Sequence, residues 1–146
     1  MSHGASLSKA VIAPALAMAL IGGLYVLTSG NAAEAGLAKC RGATATIVGT
    51  AGADELDGTA GRDVIVGRGG NDDIEGKRGN DLICGGGGND DIEGDAGKDR
   101  IFGGRGSDDL EGDRGDDFLH GGRGNDEGDG GAGNDVCRKI EDQESC

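Results

Sequence analysis

From Leu56 to Leu119 a large aliphatic side chain recurs at every ninth residue: Leu56, Ile65, Ile74, Ile83, Ile92, Ile101, Leu110 and Leu119. Side chains alternate along an extended chain, so the two neighbours of each aliphatic residue point the other way. The pattern predicts a run of very short strands, each sending one residue inward. The stretches between them predict turns. Counted from Gly49, ten consecutive nine-residue units carry glycine at the first position (Gly49 to Gly130), glycine at the fourth (Gly52 to Gly133) and aspartate at the sixth (Asp54 to Asp135). Positions one to six read as a turn in which both glycines can take positive φ, and positions seven to nine as a strand. A fixed short period of this kind is the signature of a stacked repeat architecture.

Cys40 to Val48 keeps the register without its glycines, with Ile47 in the inward place, and reads as a degenerate unit covering the first rung. At the other end Gly128 replaces the inward aliphatic of the ninth unit, which predicts a frayed strand, and the tenth unit has Cys137 there.

The flanking strand positions differ with parity. In odd units they are acidic: Glu55 and Asp57, Asp73 and Glu75, Asp91 and Glu93, Asp109 and Glu111, Glu127 and Asp129. In even units they are apolar or mixed: Val64 and Val66, Leu82 and Cys84, Arg100 and Phe102, Phe118 and His120, Val136 and Arg138. Two units per 18-residue coil would put all the odd strands in one sheet and all the even strands in another. One sheet then carries an acidic wall and the other an apolar stripe.

Before the repeats, Lys9 precedes an apolar run from Ala10 to Leu27 and a small-residue stretch ending at Ala33-Glu34-Ala35, an A-x-A cleavage pattern. Residues 1–35 read as a secretory signal. The competing reading is a membrane anchor, which Pro14 and the Gly22-Gly23 pair weaken. The organisation expected is a signal (1–35), an N-terminal cap with the degenerate unit (36–48), ten repeats (49–138) and a C-terminal cap (139–146). Four cysteines follow the signal: Cys40, Cys84, Cys137 and Cys146. An even number in an exported chain reads as two disulfides, for which the sequence allows three pairings. Cys40–Cys84 with Cys137–Cys146 is preferred because each bond would clamp one end of the stack. Zinc is disfavoured, since no C-x-x-C pair exists and His3 and His120 lie far from ligand spacing.

Composition narrows the function. With 33 glycines, no tryptophan and a net charge of −13, a conventional globular core is not expected. The acidity argues against nucleic acid and for cations or basic surfaces. No H-E-x-x-H, no G-x-S-x-G and no Cys–His catalytic pair occurs, so the chain is not expected to be an enzyme.

The units Gly85-Gly86-Gly87-Gly88-Asn89-Asp90-Asp91-Ile92-Glu93 and Gly103-Gly104-Arg105-Gly106-Ser107-Asp108-Asp109-Leu110-Glu111 follow the pattern G-G-x-G-x-D-x-U-x. Over about 90 residues the chain resembles the repeats-in-toxin (RTX, haemolysin-type) calcium-binding family. The resemblance implies an all-β fold, a right-handed parallel β-roll (β-solenoid) with two nonapeptides per coil. It also implies Ca²⁺ ions held between stacked turns by sixth-position aspartates and backbone carbonyls. The ligands would be Asp54, Asp63, Asp72, Asp81, Asp90, Asp99, Asp108, Asp117, Asp126 and Asp135, the six inner ones having stacked neighbours on both sides. Four spaces between odd turns and four between even turns allow at most about eight ions. Ca²⁺ suits such oxygen-rich turns better than Mg²⁺, which demands a stricter octahedron. Asn71, Asn80, Asn89, Asn125 and Asn134 at the fifth position are expected to assist the turns rather than bind metal.

The sequence and the resemblance together predict a secreted, extracellular protein whose roll folds on binding calcium, with no membrane contact after signal cleavage. The alternative is a calcium-dependent adhesion or surface-association module, with a protein or cell-surface partner on the apolar even face. That stripe could equally be covered by N-terminal residues or a disulfide loop.

Overall fold

The computed structural model of the protein describes residues 38–146, so the expected signal 1–35 lies outside the described residues. The described residues open with a small antiparallel hairpin, β1 (Lys39–Cys40) and β2 (Ala43–Thr44). Arg41 (φ +51) and Gly42 (φ +94) form its two-residue turn, the positive-φ pair that matches the twist of paired strands. The remaining strands wind alternately into two six-stranded sheets. One holds β4 (Glu55–Asp57), β6 (Asp73–Glu75), β8 (Asp91–Glu93), β10 (Asp109–Glu111), β12 (Glu127–Asp129) and β14 (Asp142–Glu144). The other holds β3 (Ile47–Val48), β5 (Val64–Val66), β7 (Leu82–Gly87), β9 (Arg100–Arg105), β11 (Phe118–Arg123) and β13 (Val136–Arg138). Every neighbouring pair in these two sheets is parallel, and within the repeats the register steps by one coil, as in Leu56↔Ile74 and Ile65↔Ile83. The fold is therefore the parallel β-solenoid with two nonapeptides per coil.

Three even strands are longer than expected. β7, β9 and β11 run six residues, because their ladders continue past the ninth position through Gly86↔Gly104↔Gly122. The core is a single file between the sheets: Ile47, Leu56, Ile65, Ile74, Ile83, Ile92, Ile101, Leu110, Leu119 and Ile140. Burial of each such side chain contributes about 1.5–3 kcal/mol. Ile140 corrects the expected fraying at Gly128. A Cβ built on Gly128 would lie 2.7 Å from Ile140 Cδ1, so the isoleucine fills the space the glycine leaves. β12 pairs on both sides, with β10 and with β14. Truncating that plug (Ile140→Ala) is expected to remove about 2–5 kcal/mol and loosen the last coil. Chemical denaturation of the calcium-loaded protein measures it.

The two faces of the roll have different fates. The odd face stacks acid on acid, as in Asp73↔Asp91↔Asp109↔Glu127, at the ~4.8 Å spacing of neighbouring strands. Burial first, and then these neighbours, raises the Asp91, Glu93 and Glu111 carboxyls above the ordinary range. The apolar even face is covered. Val64, Val66, Leu82 and Phe102 are buried in a second cluster with Cys40, against which Ala38, Ala43, Ala45, Cys84 and Phe118 pack. Arg41 of the hairpin turn lies over the Phe102 ring, 4.8 Å from its centroid. Of the large hydrophobic side chains described, Val136 is the exposed one. The stripe on which the adhesion reading rests is thus largely occupied by the protein's own N-terminal segment.

Both cysteine pairs join as preferred, Cys40 to Cys84 and Cys137 to Cys146, with Cα atoms 5.8 Å apart in each. The first bond spans 44 residues and staples the hairpin to β7. A loop of that length gives about 4 kcal/mol on the chain-entropy argument.

Candidate metal sites

Each sixth-position aspartate ends a turn, immediately before a strand. Asp63, Asp72, Asp81, Asp90, Asp99, Asp108, Asp117 and Asp126 are buried, at 1–6 % exposure, and Asp54 and Asp135 are half-buried. Each carboxylate from Asp72 onward reaches back one coil. Its Oδ1 accepts the backbone N–H of the aspartate 18 residues earlier, from Asp54 N–H to Asp72 at 3.0 Å through Asp117 N–H to Asp135 at 2.8 Å. Glu141 closes the odd series, accepting the Asp126 N–H at 2.9 Å. That residue falls outside the repeat, and nothing in the sequence separates it from its acidic neighbours Asp142 and Glu144. Fifth-position asparagines tie the coils in a similar way. Asn71, Asn80 and Asn89 each accept a backbone N–H one coil on, at 2.9 Å, which is the structural role expected of them.

The second carboxylate oxygen is the unusual atom. Oδ2 of Asp72, Asp81, Asp90, Asp99, Asp108, Asp117, Asp126 and Asp135 is buried without a hydrogen-bond partner. Leaving a buried acceptor unpaired costs about 1–3 kcal/mol, and more when it is charged. For Asp72, Asp81, Asp90, Asp99 and Asp117 this oxygen faces the first-position glycine of its own unit, and the first-position carbonyl of the next like-parity unit faces the same spot. A Cβ on Gly76 would lie 2.8 Å from Gly94 O and 3.1 Å from Asp81 Oδ2. One on Gly94 would lie 3.0 Å from Asp99 Oδ2 and 3.2 Å from Gly112 O. At the end of the roll Lys139 O and Ser145 O take the place of the missing glycine carbonyls, beside Asp126 and Asp135. The chain's last residues therefore complete two more cradles than spaces between repeats alone provide.

This geometry corrects the role expected of the first glycine. Positive φ falls at positions two and four, as in Lys77 (+72) and Gly79 (+141) or Asp95 (+68) and Gly97 (+158), and at no first-position glycine. The first glycine is needed for room, because a side chain there would stand where carboxylate and carbonyl converge. Gly94→Ala is accordingly expected to remove one bound ion while leaving the rest of the roll intact, as calorimetric stoichiometry would show.

Burial pushes the inner carboxyls up, with the backbone N–H bond opposing it. Asp72, Asp81 and Asp108 rise to about 6 and Asp99 to about 7, with stacked aspartates adding to each shift. Asp90 and Asp117 are raised for the same leading reason. These six are the inner aspartates singled out by their stacked neighbours.

Among the described residues, no three acidic, histidine or cysteine side chains converge on one point. Each turn instead offers one ionised oxygen and main-chain carbonyls. A thiolate- or imidazole-seeking metal finds no ligand set in that arrangement. A hard cation that accepts several oxygens in loose geometry fits it, and would supply the partner that each orphaned Oδ2 lacks.

Fold and turns together define a parallel β-solenoid built around oxygen-lined cation cradles. A family model described as the RTX calcium-binding nonapeptide repeat (4 copies) matches residues 48–83, 85–118 and 102–137, more than half of the chain. The chain belongs to this family, and its repeats form a calcium-binding β-roll. Comparison with curated proteins and with solved structures returns no match.

Proposed function

We propose that this is a secreted protein whose roll folds as it binds several calcium ions between stacked turns, the ions arriving once the chain is outside the cell. The observation that carries this reading is the set of eight buried carboxylate oxygens without partners. In the absence of a cation they oppose folding, and with one they join neighbouring coils. The ligands are the sixth-position aspartates from Asp72 to Asp135 together with main-chain carbonyls of the stacked turns, Lys139 O and Ser145 O serving beside Asp126 and Asp135. Two disulfides and the apolar run at 10–27 support an oxidising destination. Sites of extracellular type bind at roughly 10⁻⁴–10⁻³ M, so the chain would stay loose at cytoplasmic calcium levels. No catalytic role is proposed. Adding calcium to the oxidised, ion-free protein is expected to raise its β-sheet circular dichroism cooperatively. A flat signal up to about 10 mM, well above that affinity range, would contradict the proposal.

A further inference from the structure

The ten turns are of two kinds. From the third unit on, the aspartate Oδ2 is unpartnered. In the first two units position two is threonine, and the same oxygen is satisfied by the protein. Thr50 donates to Asp54 Oδ2 from its backbone N–H at 2.6 Å and from its hydroxyl at 2.9 Å. Thr59 does the same to Asp63 Oδ2, at 2.7 and 2.8 Å. Each hydroxyl in turn accepts the fourth-position N–H, from Gly52 or Gly61, at 3.2 Å. Thr46 adds a bond to Asp63 Oδ1 at 3.3 Å.

The backbone changes in the same two turns. Position two has positive φ in every later unit, including Arg68 (+83) and Asp113 (+65), and position four does from Gly70 to Gly124. Thr50, Thr59, Gly52 and Gly61 are not in that region. A β-branched residue resists positive φ, so threonine at position two selects a turn in which its own N–H and hydroxyl reach the carboxylate.

We propose that Thr50 and Thr59 take the place of calcium, so that the first coil closes without metal and only the later eight aspartates receive ions. The inference rests on the calcium reading of those later turns. The metal-free coil is held from outside by the hairpin and by the Cys40–Cys84 bond, which reaches the second coil. In a solenoid each coil contacts only its neighbours, so the slow step is making the first one. A first coil that is already closed gives incoming calcium an edge on which to build, and folding runs from the N-terminal end of the stack.

Amide hydrogen exchange on the oxidised protein, read by segment, tests this. With calcium chelated by EGTA, 46–66 is expected to stay protected. The segment 67–138 is expected to exchange about 100-fold faster than with calcium, the ratio imposed by ligand at a hundred times its dissociation constant. Equal protection of the two segments in EGTA overturns the proposal, whatever calcium does elsewhere. The double variant T50G/T59G restores glycine at position two. It should bind two more calcium ions than wild type and lose the calcium-free protection of 46–66. T50S/T59S, which keeps both hydroxyls, should behave as wild type in calcium stoichiometry. Unchanged stoichiometry and unchanged protection in T50G/T59G would also overturn it. Failure of wild type to take up any calcium would instead sink the reading of the later turns, and the segment comparison would still judge the first coil.

Discussion

In calcium-free buffer, lowering the pH from 8 to about 4 is expected to increase β-structure. Burial raises the carboxyls of Asp72, Asp81 and Asp108 to about 6 and that of Asp99 to about 7, from an ordinary 3.8. The ion-free folded chain therefore binds more protons than the unfolded chain does. The stability these groups contribute is fully present below about pH 4 and is lost as pH rises through 6–7. The acidic odd face acts with the same sign, since protonation relieves its stacked carboxylates. Calcium reverses the dependence. The ion needs ionised aspartates, so its binding near pH 6 must release protons and must weaken on acidification. Circular dichroism across pH in metal-free buffer, with calorimetry at pH 6.5 in two buffers of different ionisation enthalpy, reads both signs. A calcium-free chain that loses β-structure on acidification would show that buried carboxylates are not what opposes folding.

Asp99→Asn is expected to change stability in opposite directions with and without calcium. Asp99 is 1 % exposed, and its Oδ1 accepts the Asp81 N–H at 2.7 Å while its Oδ2 stands unpartnered. Asparagine keeps the first bond and turns the second oxygen into an amide donor facing the Gly112 carbonyl. Without calcium the variant should gain about 1–3 kcal/mol, the penalty of a buried unsatisfied group. With calcium it should bind one ion fewer or bind that ion at least roughly 10–100-fold more weakly, the loss that even an outer-shell partner's removal brings. Denaturation midpoints with and without calcium read the two effects. Destabilisation under both conditions would mean the charge is useful to the fold itself. Asp54→Asn, beside Thr50, should leave the calcium stoichiometry unchanged.

The repeating part of this chain was legible because one period carries everything. An inward aliphatic every nine residues sets the file from Leu56 to Leu119, and the parity of the flanking residues sets two sheets and an 18-residue coil. What the sequence hid lies where one residue type serves two purposes. A glycine kept for room, such as Gly76 or Gly94, reads the same as one kept for positive φ, such as Gly79 or Gly97. The hole at Gly128 reads as fraying because Ile140 lies out of the inward register and only folding brings it there. The apolar stripe leaves a free surface and coverage by N-terminal residues or a disulfide loop equally open, because coverage by Cys40 and Ala38–Ala45 depends on a chain reversal and a disulfide. The site itself was half legible. Spacing marked the ten aspartates, but the split between Thr-satisfied and unpartnered carboxylates follows from the residue at position two, whose importance appears only with the turn geometry.

Isothermal calorimetry of calcium into the oxidised, ion-free protein tests the central claim most directly, since it counts the cradles that fill. The expected result is uptake of close to eight ions, one for each unpartnered Oδ2, with proton release near pH 6. No uptake, or folding that is complete before any ion binds, would contradict it.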